Sequence, residues 1–293
     1  MTVLLALLVS FSQAPAFQSD PPHKCGASCD EWNQPREAFK IFGDTYFVGT
    51  DGLSAILIAG TDGHVLLDGG LEQSAALIDA NIRKLGFKTG DVKLIVNSHG
   101  HYDHAGGIAA LQRASGAVVA ASPSGADALQ RGENTTDDPQ YGFGKADNGF
   151  PPVKNVKVIR DGEVLRVGTT AITAVFTPGH TPGSTTWTWR SCEGANCLNM
   201  VYADSISAAA APGFKFTAKP GLVDMFRRSL TRMGELPCDI VVSTHPSATR
   251  LDEKIKRRLE QKGGPDPFVD RGCKALAATA MKGLEARIAE EKQ

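Results

Sequence analysis

An apolar run at residues 92–96, VKLIV, stops two residues before HGHYDH at 99–104, which holds three of the chain's seven histidines and an aspartate. A hydrophobic core has no use for such a cluster, because each buried imidazole needs a polar partner. The short apolar run reads as a buried strand. The fold must therefore contain a strand whose end delivers imidazoles and a carboxylate to one place. A metal would use that set well.

His99 and His101 alternate with Gly100 and Tyr102, so both project to one side, whereas Asp103 and His104 lie round the bend and aim at a neighbouring point. One turn thus offers ligands to two adjacent metal positions. Imidazole with a carboxylate and no thiolate suits zinc, with iron, manganese and cobalt as the other candidates. Two sites need further ligands, and other strand ends supply them. His180 sits in TPGHTPGS, where proline and glycine stop a strand at 171–176. His245, in VVSTHPS, follows an apolar strand at 239–243. Loops at strand ends are where functional residues collect. His23 and His64 are left as structural or surface residues.

The rest of the chain alternates strand and helix patterns. Residues 53–59 and 64–67 flank Gly60-Thr-Asp-Gly63, a hairpin signal. A helix is expected over 72–85, with Ala76, Leu77, Ala80 and Leu85 on one face and Gly86 ending it. Residues 108–114 and 124–129 read as helices and 117–121 as a strand. The polar, glycine-rich stretch 132–152 reads as a long loop, of a kind that is usually functional or disordered. Strands follow at 156–159, 163–167, 171–176, 185–189 and 200–203, then a helix at 223–233, the strand at 239–243 and a helix at 273–290. Two halves of similar β-then-α order with no linker predict one α/β domain, two sheets with helices outside.

Hydrophobic residues make up 42% of the 293 and charged residues 22%, enough for a proper core. A net charge of -1 leaves no electrostatic footprint for nucleic acid or an anionic membrane. Residues 1–16, MTVLLALLVSFSQAPA, carry no charge and end in Ala14-Pro15-Ala16, the pattern of a cleaved secretory signal. No Lys or Arg precedes the apolar run, and a buried N-terminal helix is the alternative. The run is too short to span a bilayer. The expectation is a signal at 1–16 and a single domain at 17–293. Six cysteines agree with export to an oxidising compartment. Cys192 and Cys197 enclose a turn-like Glu-Gly-Ala-Asn between strand-like stretches, which favours a disulfide over a zinc knuckle. Cys25 and Cys29 are expected to pair as well.

HGHYDH, VLLDGG upstream, TPGHTPGS and the late STHP together resemble the metallo-β-lactamase superfamily, nearest to the third subclass of class B β-lactamases. The resemblance covers nearly the whole mature chain, from Trp32-Asn-Gln-Pro through GDTYFVGTDGLSAILI to Cys273. Its subclass-specific points are His99, ADSIS at 203–207, and the pair Cys238 and Cys273, which it implies are bridged. It implies a four-layer αβ/βα sandwich with two mixed sheets. It implies a first zinc on His99, His101 and His180 and a second on Asp103, His104 and His245, and the alternation along the turn divides HGHYDH the same way. Asp68, in LLDGG, is implied to brace the histidine loop from beneath.

The implied activity is a periplasmic, monomeric hydrolase that opens the amide bond of penicillins, cephalosporins and carbapenems. A water shared by two zincs would lose its proton near neutral pH, since a bound metal lowers its pKa to about 7. Asp103 would orient it. No G-x-S-x-G or S-x-x-K occurs, so no serine nucleophile is expected. Ser205 and Ser207, alternating along a strand end, are expected to bind the substrate carboxylate. Tyr141 and Phe143 would form an apolar wall, with Trp32 on the opposite rim. Lactonases and thioesterases of the superfamily instead use an aspartate bridging both metals near residues 203–205. Asp204 and Ser205 are neighbours, so on a strand only one can face the metals. The non-enzyme alternative is a periplasmic zinc-binding protein. Six ligands for two ions leave positions open for water and substrate, which favours the enzyme.

Overall fold

The computed structural model describes residues 17–293, so the signal peptide expected at 1–16 lies outside the described residues. Seven strands form the first sheet among these residues: β1 (Phe39–Phe42), β2 (Thr45–Phe47), β3 (Ile56–Gly60), β4 (Gly63–Leu67), β5 (Val92–Val96), β6 (Val118–Ala121) and β7 (Val156–Val158), in that spatial order. The first four pair antiparallel, and from β4 onward neighbours are parallel. The second sheet holds β8 (Val164–Val167), β9 (Thr170–Phe176), β10 (Thr185–Glu193), β11 (Asn196–Ala203) and β12 (Ile240–Ser243), with only β11 and β12 parallel.

The helices are α1 (Ala27–Trp32), α2 (Ser74–Lys84), α3 (Tyr102–Ala105), α4 (Ile108–Ser115), α5 (Pro123–Arg131), α6 (Lys145–Asn148), α7 (Leu222–Gly234), α8 (Leu251–Glu260) and α9 (Cys273–Glu291). Parallel neighbours cannot be joined by a hairpin, and α2, α4 and α5 carry the crossovers of the first sheet. Among the described residues, no helix is long and apolar enough to cross a membrane.

Side-chain alternation explains the layers. Ile56, Ile58, Val65, Leu67 and Val96 point between the sheets, against Trp187, Met200, Tyr202 and Val242. Leu57, Leu66, Ile95 and Val119 point the other way, under Ile78, Ile82, Ile108 and Leu111 of α2 and α4. With both faces buried, these strands read as apolar runs instead of alternating ones. On the far side Val201, Ala203 and Val241 lie beneath Met233 of α7 and Cys273 and Ala277 of α9. The result is helices, sheet, sheet, helices, the four-layer sandwich expected.

Some elements differ from expectation. Helix α8, LDEKIKRRLE, has no counterpart in the sequence reading, because it buries only Leu251 and Lys254 and so lacks a readable apolar stripe. The stretch 132–152 is not structureless: it contains a helical turn at Tyr141–Phe143 and α6. It is also tied internally, with Phe150 N donating to Gly132 O at 3.0 Å and Asn148 Nδ2 to Gln140 O at 3.1 Å.

Three disulfides are present: Cys25–Cys29, Cys192–Cys197 and Cys238–Cys273. Cys192 and Cys197 face each other across the β10–β11 hairpin, as a turn between two strands requires. Cys238–Cys273 ties the chain just before β12 to the first residue of α9, across a separation of 35 residues. Replacing both of these cysteines by serine is expected to cost about 3–4 kcal/mol, the chain-entropy value for a loop of that length. A denaturant midpoint equal to that of the parent protein would refute this.

Candidate metal centre

The candidate ligands converge where the strands of both sheets end. β5 hands the chain through Asn97 and Ser98 to His99, and His101 opens the single turn of α3, which carries Asp103 and His104. His180 follows β9, and His245 follows β12. Gly100 lets the turn lie close to α5, since a Cβ there would come within 2.5 Å of the Ala128 Cβ.

Two overlapping groups result. Ligand atoms of His99, His101 and His180 lie within 4.8 Å of one another, and so do those of His99, Asp103 and His104. Asp103 Oδ2 is 3.2 Å from His104 Nε2 and 3.3 Å from His245 Nε2, which brings His245 to the second group. The His104 and His245 ring centroids are 4.9 Å apart.

Each ring but one is held from behind. His99 Nδ1 lies 2.7 Å from Asp204 Oδ1, and His101 Nε2 lies 3.1 Å from Asp138 Oδ2. His180 Nδ1 donates to Ser207 O at 2.9 Å, and His245 Nδ1 to Gly52 O at 3.2 Å. An acceptor on one nitrogen sets the tautomer and leaves the other nitrogen's lone pair for a metal. That leaves Nε2 of His99, His180 and His245 and Nδ1 of His101.

The chemistry of this set fits a metal. His99 Nε2 and both nitrogens of His104 are buried with no hydrogen-bond partner among the described residues. Unpartnered buried nitrogens are costly, and a cation taking their lone pairs would remove the cost. Burial and the neighbouring His104, His101 and His180 rings push His99 well below its ordinary pKa. Burial and His101 push His180 down to about 3. Both stay neutral, as ligands must. Burial alone would raise the pKa of Asp103, but His104 and His245 hold it well below the carboxylate range. Burial raises Asp204 well above that range, so a positive ion on His99 is what would favour its carboxylate.

Beneath the turn, Asp68 accepts from Ser98 N (2.7 Å), Ser98 Oγ (2.7 Å), Asn97 Nδ2 (3.0 Å) and Tyr202 OH (2.8 Å). Tyr202 belongs to β11, so this one carboxylate joins the second sheet to the loop of the first. Trp187 Nε1 donates to Asn97 O from the same sheet, at 3.1 Å.

The substrate-facing candidates divide. Trp32 stands beside the site, its ring centroid 5.5 Å from that of His245. Tyr141 and Phe143 are 42% and 41% exposed, on the loop whose Asp138 holds His101. The expected strand alternation of Ser205 and Ser207 needs correction: β11 ends at Ala203, and the chain beyond is irregular. Ser205 is buried with its hydroxyl 2.8 Å from Thr244 Oγ1, whereas Ser207 is exposed with Oγ 3.3 Å from His180 Nδ1. Asp204 is turned behind His99. His64 is buried in β4 with Nδ1 accepting from Gly60 N at 3.3 Å.

Sequence reasoning missed Asp138. It lies in a polar run with Asp137 beside it, and nothing local distinguishes the two. Asp138→Asn is expected to weaken metal binding about 10–100-fold, the usual cost of losing a carboxylate behind a ligating histidine. Competition with a metal chelator measures this, and native affinity would show that Asp138 does not hold His101.

Residues 48–245 match the family model described as the metallo-beta-lactamase superfamily. Among solved structures the chain is similar to the Rm3 metallo-beta-lactamase, with 50% identity, a TM-score of 0.87, and coverage of 91% of this chain and 99% of that one. It is also similar to MEM-A1, a subclass B3 metallo-beta-lactamase from a soil metagenome library, at 45% identity and a TM-score of 0.85, covering 89% and 98%. A curated relative, the acyl-coenzyme A thioesterase MBLAC2 of Gallus gallus, is 30% identical over 102 residues. That match spans 31% of this chain and only 35% of the relative's length.

Proposed function

The chain belongs to the metallo-beta-lactamase superfamily, and we propose that it is a zinc-dependent hydrolase of the subclass B3 kind, opening the β-lactam amide bond of penicillins, cephalosporins and carbapenems. The observation that carries the proposal is the gathering of five imidazoles and Asp103 into two overlapping groups, with His99 Nε2 and both His104 nitrogens buried without a hydrogen-bond partner among the described residues. His99, His101 and His180 would hold one zinc, and Asp103, His104 and His245 a second. Such a pair supplies Lewis acidity for the amide carbonyl and lowers the pKa of water toward neutrality.

This chain's residues do the positioning. Asp103, kept ionised, accepts a hydrogen bond from the attacking water and orients it. Asp204, Asp138, the Ser207 carbonyl and the Gly52 carbonyl fix four of the rings, so little reorganisation is left for the reaction itself. Trp32, Tyr141 and Phe143 would flank the substrate. Of the two serines, the exposed Ser207 is the readier donor to the substrate carboxylate, and Ser205 contributes by turning its hydroxyl away from Thr244. Asp68 keeps the turn in place.

The lactonase and thioesterase reading needs a carboxylate near 203–205 between both metal positions. Asp204 is instead bonded to the outer nitrogen of His99, which favours the β-lactamase. Three disulfides and the character of residues 1–16 support export to the periplasm, as a single domain over 17–293 acting as a monomer.

The test is hydrolysis by the purified mature protein of a carbapenem, a penicillin, an acyl lactone and an acyl thioester. Turnover of the β-lactams is expected, lost on chelation and restored by zinc, with about two zinc ions per chain. Turnover of the lactone or thioester alone would overturn the β-lactamase reading. Zinc bound without any turnover would make the protein a carrier.

A further inference from the structure

The segment before α1 is clamped to the domain. Arg113 Nη2 pairs with Asp20 Oδ1 at 2.9 Å. Gln73 grips the His23 backbone both ways, accepting from its N–H at 3.0 Å and donating to its carbonyl at 3.2 Å. The Cys25–Cys29 bridge then folds the chain back toward Trp32. These restraints seat the His23 side chain, only 7% exposed, in a defined place.

There the ring stacks on Tyr102, with centroids 4.0 Å apart and planes 10° from parallel. Nδ1 lies 3.4 Å from Glu72 Oε1, and Nε2 lies 3.0 Å from the carbonyl oxygen of Asp147. Tyr102 stands between the ligands His101 and Asp103. Asp147 lies in α6, within the stretch that carries Asp138, Tyr141 and Phe143. Neither a carboxylate nor a carbonyl can donate, so satisfying both requires N–H on both ring nitrogens. Only the imidazolium has that. Glu72 is buried, and its Oε2 has no partner among the described residues, so a positive ring is also what balances it.

We infer that His23 is a positioning residue whose doubly donating ring latches the 132–152 stretch, through Asp147, to the turn bearing the metal ligands. A neutral ring keeps one N–H and can donate to Glu72 or to Asp147 but not to both, so the substrate wall is held closed when the ring is protonated and loosened when it is neutral. This role rests on the proposed function only for its kinetic consequence.

The groups acting on the ring are Glu72 from the loop before α2, Tyr102 and Asp103 from α3, and Asp147 from α6. Burial would lower the pKa of His23, but Glu72 by hydrogen bond and charge, the Asp147 carbonyl and the Asp103 charge outweigh it and raise it. With a raised folded value, the latch is present at low pH and lost as pH rises through that value, above the ordinary 6.5.

The experiment uses the zinc-loaded protein. Amide hydrogen exchange at residues 141–149, corrected for the intrinsic pH dependence of exchange, should quicken about threefold to tenfold from about pH 6 to about pH 9, the loss of one hydrogen bond. KM for a carbapenem should rise by a similar factor while kcat stays level. His23→Phe, which keeps the stack and loses both donors, should show fast exchange and a high KM at every pH. His23→Gln, with one donor restored, should lie between and be independent of pH. Native exchange and KM in His23→Phe would overturn the latch, as would a pH-dependent KM that survives in His23→Gln. Should the variants fail to fold, pH-independent exchange in the parent protein overturns it alone. Exchange that follows pH in a protein inactive on β-lactams would leave the latch standing and remove the β-lactamase reading instead.

Discussion

Replacing Asp103 by alanine is expected to lower kcat for a carbapenem by about two to four orders of magnitude, the range for a group that handles a proton in the transition state. Asp103 is the carboxylate of the ligand set, and its Oδ2 lies within 3.3 Å of both His104 and His245. Removing it takes away a negative charge that two imidazoles hold ionised. It would also remove the acceptor that is proposed to orient the attacking water. Because Asp103 belongs to the candidate metal groups and not to the proposed substrate wall of Trp32, Tyr141 and Phe143, KM should change far less than kcat. Metal content should fall as well, since the second group is left with His104 and His245. Steady-state kinetics with elemental analysis at saturating zinc check both parts. Native turnover in the variant would remove Asp103 from the mechanism and leave the two-zinc assignment without its central ligand.

Asp68→Ala should cost about 3 kcal/mol or more of stability, although Asp68 carries no ligand atom. Its carboxylate accepts four hydrogen bonds from Asn97, Ser98 and Tyr202, all of them buried. Each donor left unpaired in a dry site costs about 1–3 kcal/mol, and no solvent reaches this one to compensate. The backbone of Asp68 is itself in the left-handed region, at φ 59°, a conformation that aspartate tolerates better than alanine. The loss should appear in two places: a lower denaturant midpoint, and weaker metal binding as the HGHYDH turn loses its support. Parental stability and parental zinc affinity together would show that the turn stands without Asp68.

The candidate ligands could be picked out from the sequence because metal chemistry narrows the choice of side chain and the turn fixes its spacing. HGHYDH needed no partner to be read, and His180 and His245 were found because each follows a recognisable buried strand. The strands themselves were legible because β3, β4 and β5 are buried on both faces. Helix α8 was not, because its buried surface is too small to impose a period on ten residues.

Chemistry and local periodicity, which the chain carries in every short window, were enough to determine the two-sheet architecture and the candidate ligands. Which neighbour of Asp204 and Ser205 turns toward His99 was decided only by tertiary structure. β11 ends at Ala203, and past a strand end no alternation dictates where a side chain points. The carboxylates behind the candidate ligands were hidden for a related reason. Asp138 lies 37 residues from His101, and Asp204 lies 105 residues from His99. A hydrogen bond across such a distance in the chain leaves no local pattern. It exists because two sheets and a folded loop bring those atoms together, and the same holds for His23 between Glu72 and Asp147.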